Sequence, residues 1–494
     1  MKFIVSCFTC ILMLALYVST SHAVPAFSRA HKVECTTCHT IYPELNEYGD
    51  AFLKNSYVYV GKGSKAAKKA TAAPAPAPVA AAPNDAATGE APVIKGEGDA
   101  NKLSKLKAGA MGGGAAPQAV ASAPAAAGAA EPAENQAEGM ILAGIPEQLP
   151  ISFTGTIDYY TGDRRNMGAG GNDVDFVARS FKLHAAGNFR DKVGFYATYV
   201  AYSEQPDGIT NVSNTSVTPS NNKTDINEFF LQWRQAFDTP INVKFGRMQP
   251  KLGLWKTNNK LSVTNNYLPY TYTVGNNSEF RIEQPQDAIE LNSILGGRFF
   301  AAAGIVNHKG QNEKDGYGHI SYKFGGADYL GNEPNVDLDK EENILDFLTL
   351  TGGAYGYYGQ NGKFNSSNFP NTYYRAGLDT ELLYKIYRLR MLANYGNDDN
   401  VLLATDPWVK VISRAATFEG EVTLLVNLIA AGRFEYLEQE SSSFAFNNVY
   451  LRRYVATLAY APLENLKLST EFKYEKDNRT GINRIGTLGA IFSF

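Results

Sequence analysis

Along residues 466–474 (LKLSTEFKY) apolar and polar side chains alternate strictly. Leu466, Leu468, Phe472 and Tyr474 share one face; Lys467, Ser469, Glu471 and Lys473 share the other. A period of two marks an extended strand with two unlike faces. The pattern recurs at 373–384, where Arg375, Asp379 and Glu381 stand opposite Ala376, Leu378, Leu382 and Tyr384, and at 427–436, where Arg433 and Glu435 oppose Leu428, Phe434 and Tyr436. From Pro150 onward it predicts strands near 151–160, 174–187, 192–203, 225–236, 241–248, 285–295, 298–307, 316–325, 347–358, 372–384, 388–396, 412–424, 427–438, 449–460, 466–475 and 483–494. A soluble sandwich would alternate too, but its loops would follow no length rule. Here connections alternate: 188–191, 237–240 and 296–297 are tight, whereas 204–224 and 249–284 are long. An even strand number with short turns at one end and long loops at the other is the habit of outer-membrane barrels. Two features break the pattern: the turn 326–346 is long where a short one is expected, and Arg179 shares parity with Phe181 and Leu183.

The fold class predicted is therefore mostly β. An antiparallel transmembrane β-barrel of about sixteen strands (146–494) is preceded by two unlike segments. Residues 61–145 turn to Ala, Pro, Gly and Lys, as in ATAAPAPAPVAAAP and AGAMGGGAAPQAVASAPAAAGAA. Such a stretch cannot bury a core and reads as a disordered linker; as flexible coil of ~85 residues it would reach roughly 50 Å. Residues 24–60 (VPAFSRAHKVECTTCHTIYPELNEYGDAFLKNSYVYV) hold a Cys-x-x-Cys-His sequence, Cys35-Thr36-Thr37-Cys38-His39. That is the attachment sequence of a c-type haem: the thiolates add across the vinyl groups and the histidine ligates the iron from the proximal side. Zinc would want four ligands, and no second cysteine or close histidine pair follows. A thioredoxin-like pair would want a βαβ pattern, which is absent. After the motif, Pro43 is placed to open a helix whose stripe is Leu45, Tyr48, Phe52 and Leu53. So short a segment builds little core, and haem would supply it.

The first 23 residues read as a signal peptide: Lys2, an apolar run from Phe3 to Tyr17, and Ser21-His22-Ala23 at the cleavage site. Cleavage would remove Cys7 and Cys10 and leave Cys35 and Cys38 as the only cysteines of the mature chain. A net charge of −3 and a pI near 6.1 over 494 residues provide no broad basic field for nucleic acid. No other run of about 20 apolar residues exists to span a membrane as a helix.

The last eight residues, Thr487-Leu488-Gly489-Ala490-Ile491-Phe492-Ser493-Phe494, resemble the terminal strand that outer-membrane proteins present to the barrel assembly machinery. At the other end, Pro25-Ala26-Phe27, Arg29, Cys35, Cys38, His39, Pro43, Leu45-Asn46, Gly49, Phe52 and Lys54-Asn55 resemble the fused monohaem cytochrome–porin family of the bacterial outer membrane. Ser56 stands where that family usually has glycine, and the long linker is a larger departure. Residues 243–254 (VKFGRMQPKLGL) also resemble a strand-to-loop passage of phosphate-selective-type porins. The family resemblance implies one covalent haem c in or at the periplasmic mouth of an outer-membrane barrel. It also implies an extracellular metal donor such as Fe(II), periplasmic cytochromes as partners, and outer-membrane lipid around the wall. Sixteen-stranded porins are often trimers.

Cys35, Cys38 and His39 are the site residues the motif selects, with His39 the proximal ligand. The sixth iron position is open to Met111, Met140, His184, His31 or water; His184 falls on the polar face of the second strand. The polar face also mixes Arg388, Arg390, Arg433 and Lys473 with Asp379, Glu381, Glu419, Glu421 and Glu471. These could solvate one another or meet haem propionates. Three functions compete. The first is an electron conduit from an outer donor to periplasmic carriers, or the reverse. The second is a diffusion porin with a tethered cytochrome. The third, an enzyme such as a peroxidase, would need acid–base residues beside an open iron position, and no motif for them is present.

Overall fold

The computed structural model describes residues 33–58, 151–163, 174–203, 225–256, 260–262, 267–275, 282, 284–307, 314–332, 343–361, 370–403, 408–479 and 481–493. The signal peptide, the linker 61–145, His31, Met111, Met140 and Phe494 lie outside them.

Sixteen strands close into one antiparallel barrel: β1 (Ile151–Asp163), β2 (Val174–Phe189), β3 (Val193–Ser203), β4 (Asp225–Trp233), β5 (Ile241–Met248), β6 (Gln286–Leu295), β7 (Phe299–Asn307), β8 (Lys314–Phe324), β9 (Leu348–Asn361), β10 (Asn371–Tyr384), β11 (Tyr387–Asp398), β12 (Val411–Leu425), β13 (Leu428–Glu440), β14 (Val449–Leu463), β15 (Leu466–Asp477) and β16 (Gly481–Ser493). Each pairs with its neighbours in sequence, and β1 closes on β16 from Thr154↔Ser493 to Asp163↔Arg484. Closure leaves no open edge, which lipid could not satisfy. Burial separates the barrel from a soluble sandwich. In β15 the charged face (Lys467, Glu471, Lys473) is the buried one, while Phe472 is exposed. Phe229, Ile289, Ile305, Leu378, Phe418, Tyr454 and Leu488 likewise face outward. Polar inside and apolar outside is the arrangement a bilayer demands.

Both irregularities of the pattern have a structural cause. The β1–β2 register shifts between Thr156 and Ile157, where Ser180 and then Ala178 are the partners. Arg179 is the extra residue of this bulge, and a bulge re-aims a side chain. The guanidinium thereby reaches buried Asp158 at 3.1 Å. The long connection from β8 to β9 begins by folding against the barrel mouth, where the Tyr329 side chain is buried and its hydroxyl lies 2.9 Å from Ser321 Oγ.

Residues 33–58 sit in that mouth, at the end bearing the tight turns. That end is periplasmic by the habit of such barrels. The segment comprises a 3-10 turn at Cys35–Thr37 and one helix, α1 (Glu47–Lys54). Pro43 does not open this helix. The start is set by Asn46, which is extended and accepts a hydrogen bond from Gly49 N at 3.0 Å, so a side-chain cap supersedes the proline signal. Glu47 and Asp50 in the first turn suit the helix dipole. The lumen above is not an open space. The β5–β6 connection folds inward with a one-turn helix, α2 (Leu268–Thr271), and its Trp255, Tyr267 and Tyr270 join Phe52 and Tyr57 of the N-terminal segment in one buried cluster.

Candidate functional site

The Cys35–His39 turn is held from three sides. Within the turn, Cys38 N and His39 N both donate to Cys35 O, at 3.1 and 3.0 Å. From α1, Asn46 Nδ2 donates to Thr36 O and Thr37 O (both 3.1 Å), and Asn46 N donates to Cys38 O (3.0 Å). From the barrel, the Glu464 carboxylate in the β14–β15 turn accepts from Cys35 N at 3.0 Å. Helix and turn approach so closely that a Cβ on Gly49 would lie 2.1 Å from Cys38 O; only glycine fits there.

The chemistry of these residues fits a c-type haem. The two cysteines form no disulfide with each other. His39 Nδ1 lies 3.2 Å from Glu44 O; a ring nitrogen tied to a carbonyl is the usual orientation of a metal-binding imidazole, and it would leave Nε2 to ligate an iron. Burial lowers the His39 pKa to about 4, so the ring is neutral with a lone pair to give. Burial, and then the neighbouring Cys35, raise the Cys38 thiol to about 11.

The remaining contacts fix the segment in the wall. Buried Glu44 accepts from Arg390 Nη1 (2.7 Å) and pairs with Arg388 Nη1 (3.1 Å) on β11. The same arginines reach Glu381, at 2.7 and 3.0 Å, and Arg390 also reaches Glu421 at 3.2 Å. The mixed lumen charges therefore do pair with one another, and the plug adds a carboxylate of its own. Arg388 and Arg390, eligible from sequence as propionate partners, are engaged by Glu44. Glu47 pairs with Lys323 at 2.7 Å, Asn55 Nδ2 donates to Tyr329 O at 3.0 Å, and Asn188 Nδ2 donates to Tyr57 O at 2.8 Å. Lys54 pairs with Asp50 and lies 4.7 Å from the Tyr329 ring centre. Ser56 has φ +60°, which accounts for a glycine preference at this position. Its carbonyl packs where Gly194 has no Cβ; one would sit 2.5 Å from it.

Above the plug, the inner connection between β5 and β6 is tied to wall groups. Leu254 N donates to Asp379 (2.6 Å), Tyr267 OH to Glu419 (2.5 Å), Leu268 N to Glu435 (2.6 Å), Ser262 Oγ to Glu471 (2.6 Å) and Tyr272 OH to Asn394 (2.5 Å). His184, from β2, faces the lumen beside Tyr196 and Thr198. Glu44, Glu464 and Tyr329 were not singled out from sequence. Their partners lie up to 429 positions away, and no local pattern marks them.

The architecture defines an integral β-barrel of the bacterial outer membrane with a sixteen-stranded porin fold, its mouth occupied by the N-terminal segment. No protein-family profile matches the chain, and no curated protein matches it in sequence. Among solved structures, it is similar to OmpT of Vibrio cholerae in a form lacking loop L8 (10% identity, 70% of this chain and 99% of that one, TM-score 0.45). It is likewise similar to the outer membrane channel DcaP of Acinetobacter baumannii (12%, 70% and 97%, 0.45) and to an anion-selective porin from Comamonas acidovorans (9%, 70% and 98%, 0.46). Likeness at this level carries no substrate or partner across.

Proposed function

We propose that this chain is an outer-membrane electron-transfer cytochrome–porin that moves electrons between an extracellular donor, Fe(II) in the leading case, and periplasmic carriers through one covalent haem c. The observation that carries the reading is the seating of Cys35, Cys38 and His39 inside the barrel mouth, with His39 Nδ1 held by Glu44 O and Glu44 itself held by Arg388 and Arg390. A thioether-bound haem supplies a one-electron carrier, and axial ligation, burial and hydrogen bonding set its potential. The chain's contribution is placement. A bilayer core of ~30 Å separates an outer donor from soluble acceptors, and a plug fixed in the wall shortens that gap where a tethered segment does not.

A second reading, a diffusion channel with a haem segment that only samples the periplasm, is favoured by the porin fold itself. The two differ in measurable transport. In sealed proteoliposomes with Fe(II) outside and an electron acceptor inside, the conduit reduces the acceptor. The Cys35→Ala, Cys38→Ala variant, which lacks the thioether sites, does not. In planar bilayers the conduit shows little ion conductance with the plug in place. Reduction that requires Fe(II) on both sides, together with large steady conductance by the haem-loaded chain, would sink the conduit and leave the channel.

A further inference from the structure

We propose that the cavity between α1 and the inner connection binds a small oxyanion of the phosphate class, and that the bound anion ties the plug to the barrel. None of the residues involved belongs to the Cys35–His39 turn, so the inference stands apart from the haem reading. The cavity holds about 70 Å³, room for a handful of water-sized bodies, which is the scale of a tetrahedral oxyanion. Four lysines line it, and they come from three layers: Lys244 from β5 of the wall, Lys251 and Lys256 from the inner connection, and Lys54 from α1 of the plug. They crowd two rings of the wall. Lys244 and Lys256 place Nζ 4.1 and 5.7 Å from the centre of the Phe230 ring; Lys54 and Lys251 place theirs 5.7 and 5.8 Å from the centre of Phe300.

Two of the four have acids of their own. Lys54 pairs with Asp50, and Lys256 with Glu228 at 3.0 Å. The other two do not. Lys244 is 8% exposed, yet among the described residues no hydrogen-bond acceptor or carboxylate reaches its Nζ, which lies over the Phe230 face instead. Lys251 Nζ donates to Leu254 O at 3.1 Å and to no carboxylate among the described residues, and Lys54 stands near enough to repel it. The acids around this pair are taken by other donors. Glu290 accepts from the Tyr317 hydroxyl at 2.7 Å and from Asn292 Nδ2 at 3.1 Å, and Asp379 accepts from Leu254 N at 2.6 Å. An ammonium group carries three N–H donors, and a buried charge is normally paired. Two ammonium groups short of acceptors on one cavity are the complement of an anion with several oxygens. Such an anion would also bring Lys54 of the plug and Lys256 of the inner connection into one set of contacts.

The test uses the purified full chain in detergent, titrated with inorganic phosphate at an ionic strength held constant with sodium chloride. Calorimetry should show saturable binding of one phosphate per chain. A ligand that binds only the assembled layers stabilises their assembly, so saturating phosphate should slow proteolysis of the plug, and chloride alone should not. Lys244→Met and Lys251→Met should each weaken binding about tenfold, as expected for loss of a charged donor, and should remove the protection while the barrel keeps its resistance to heat. Lys244→Arg, which keeps the charge, should still bind, and it serves if Lys244→Met fails to assemble. Lys192→Met, at an exposed turn where the lysine pairs with Asp238, should bind as the wild type does. A wild-type chain that takes up no phosphate, or uptake that is unchanged in both methionine variants, would overturn the site. Binding that leaves proteolysis of the plug unaltered would overturn the tie between plug and barrel.

Discussion

The barrel wall and the material inside it are built on different principles. The wall repeats one local rule sixteen times: every second residue meets lipid, the rest meet the lumen, and the backbone is satisfied by the neighbouring strands. The plug and the inner connection have no such period. They hold their places by supplying partners to charged and polar groups that the wall has already buried, as Glu44 does for Arg388 and Arg390, and as Tyr267 and Leu268 do for Glu419 and Glu435. A buried charge that loses its partner is expensive, whereas the same pair replaced by apolar groups can be neutral. The wall thus decides that a barrel exists, and the pairing of its inward charges decides what fits inside.

Substitutions on the two sides of this division should separate cleanly. The largest effect is expected from Glu44→Ala, which leaves Arg388 and Arg390 to Glu381, Glu419 and Glu421. Breaking a buried pair costs about 3–5 kcal/mol, and the remaining carboxylates place this one at the lower end. The plug should become protease-sensitive while the barrel keeps its resistance to unfolding on electrophoresis. Leu378→Arg attacks the wall instead. A cation on the lipid face costs about 2–4 kcal/mol near mid-depth, so heat-induced unfolding of the barrel should shift down while the assembled fraction still carries haem. Next comes Gly49→Ala, whose new methyl would press on Cys38 O. Overpacking of this kind costs about 1–3 kcal/mol, and the yield of covalent haem should fall with little change in barrel assembly.

The smallest effect is a pH dependence. Burial, then the like charge of Lys54, lower the pKa of Lys251 to about 7, while Asp50, Asp379 and Glu290 oppose the shift. An unfolded lysine keeps its proton to about 10.4. Between these values the unfolded state binds more protons, so stability rises with pH across the window from about 7 to about 10. Protease resistance of the inner connection should be higher at pH 9 than at pH 6, and Lys251→Met should flatten that difference.

The same division explains what the sequence makes legible. Strand positions follow from alternation, and the sixteen expected strands agree with the observed ones to within a few residues at each end. The two breaks in the pattern, Arg179 and the long β8–β9 turn, are where strict alternation yields to a tertiary contact: an ion pair with Asp158 across β1 and β2 in one case, a support for the plug through Tyr329 in the other. Cys35, Cys38 and His39 stand out in the sequence because haem attachment would need that fixed local spacing. Asn46 was legible in principle, as an N-cap followed by two acids, but Pro43 gave the more familiar signal. Glu44, Glu464 and Tyr57 were not legible. Their roles depend on residues more than a hundred positions away, brought close only by closure of the barrel.

Seating of residues 33–58 in the barrel mouth is the claim on which the rest depends, and one measurement addresses it directly. A protease site introduced near Ala80 in the linker allows the covalent tie to be cut after assembly in detergent. Size-exclusion chromatography then asks where the haem absorbance travels. The contacts of Glu44, Glu47, Asn55 and Tyr57 with the wall predict that it stays with the barrel after complete cleavage. Haem eluting separately, as a small fragment free of the barrel, would contradict the account.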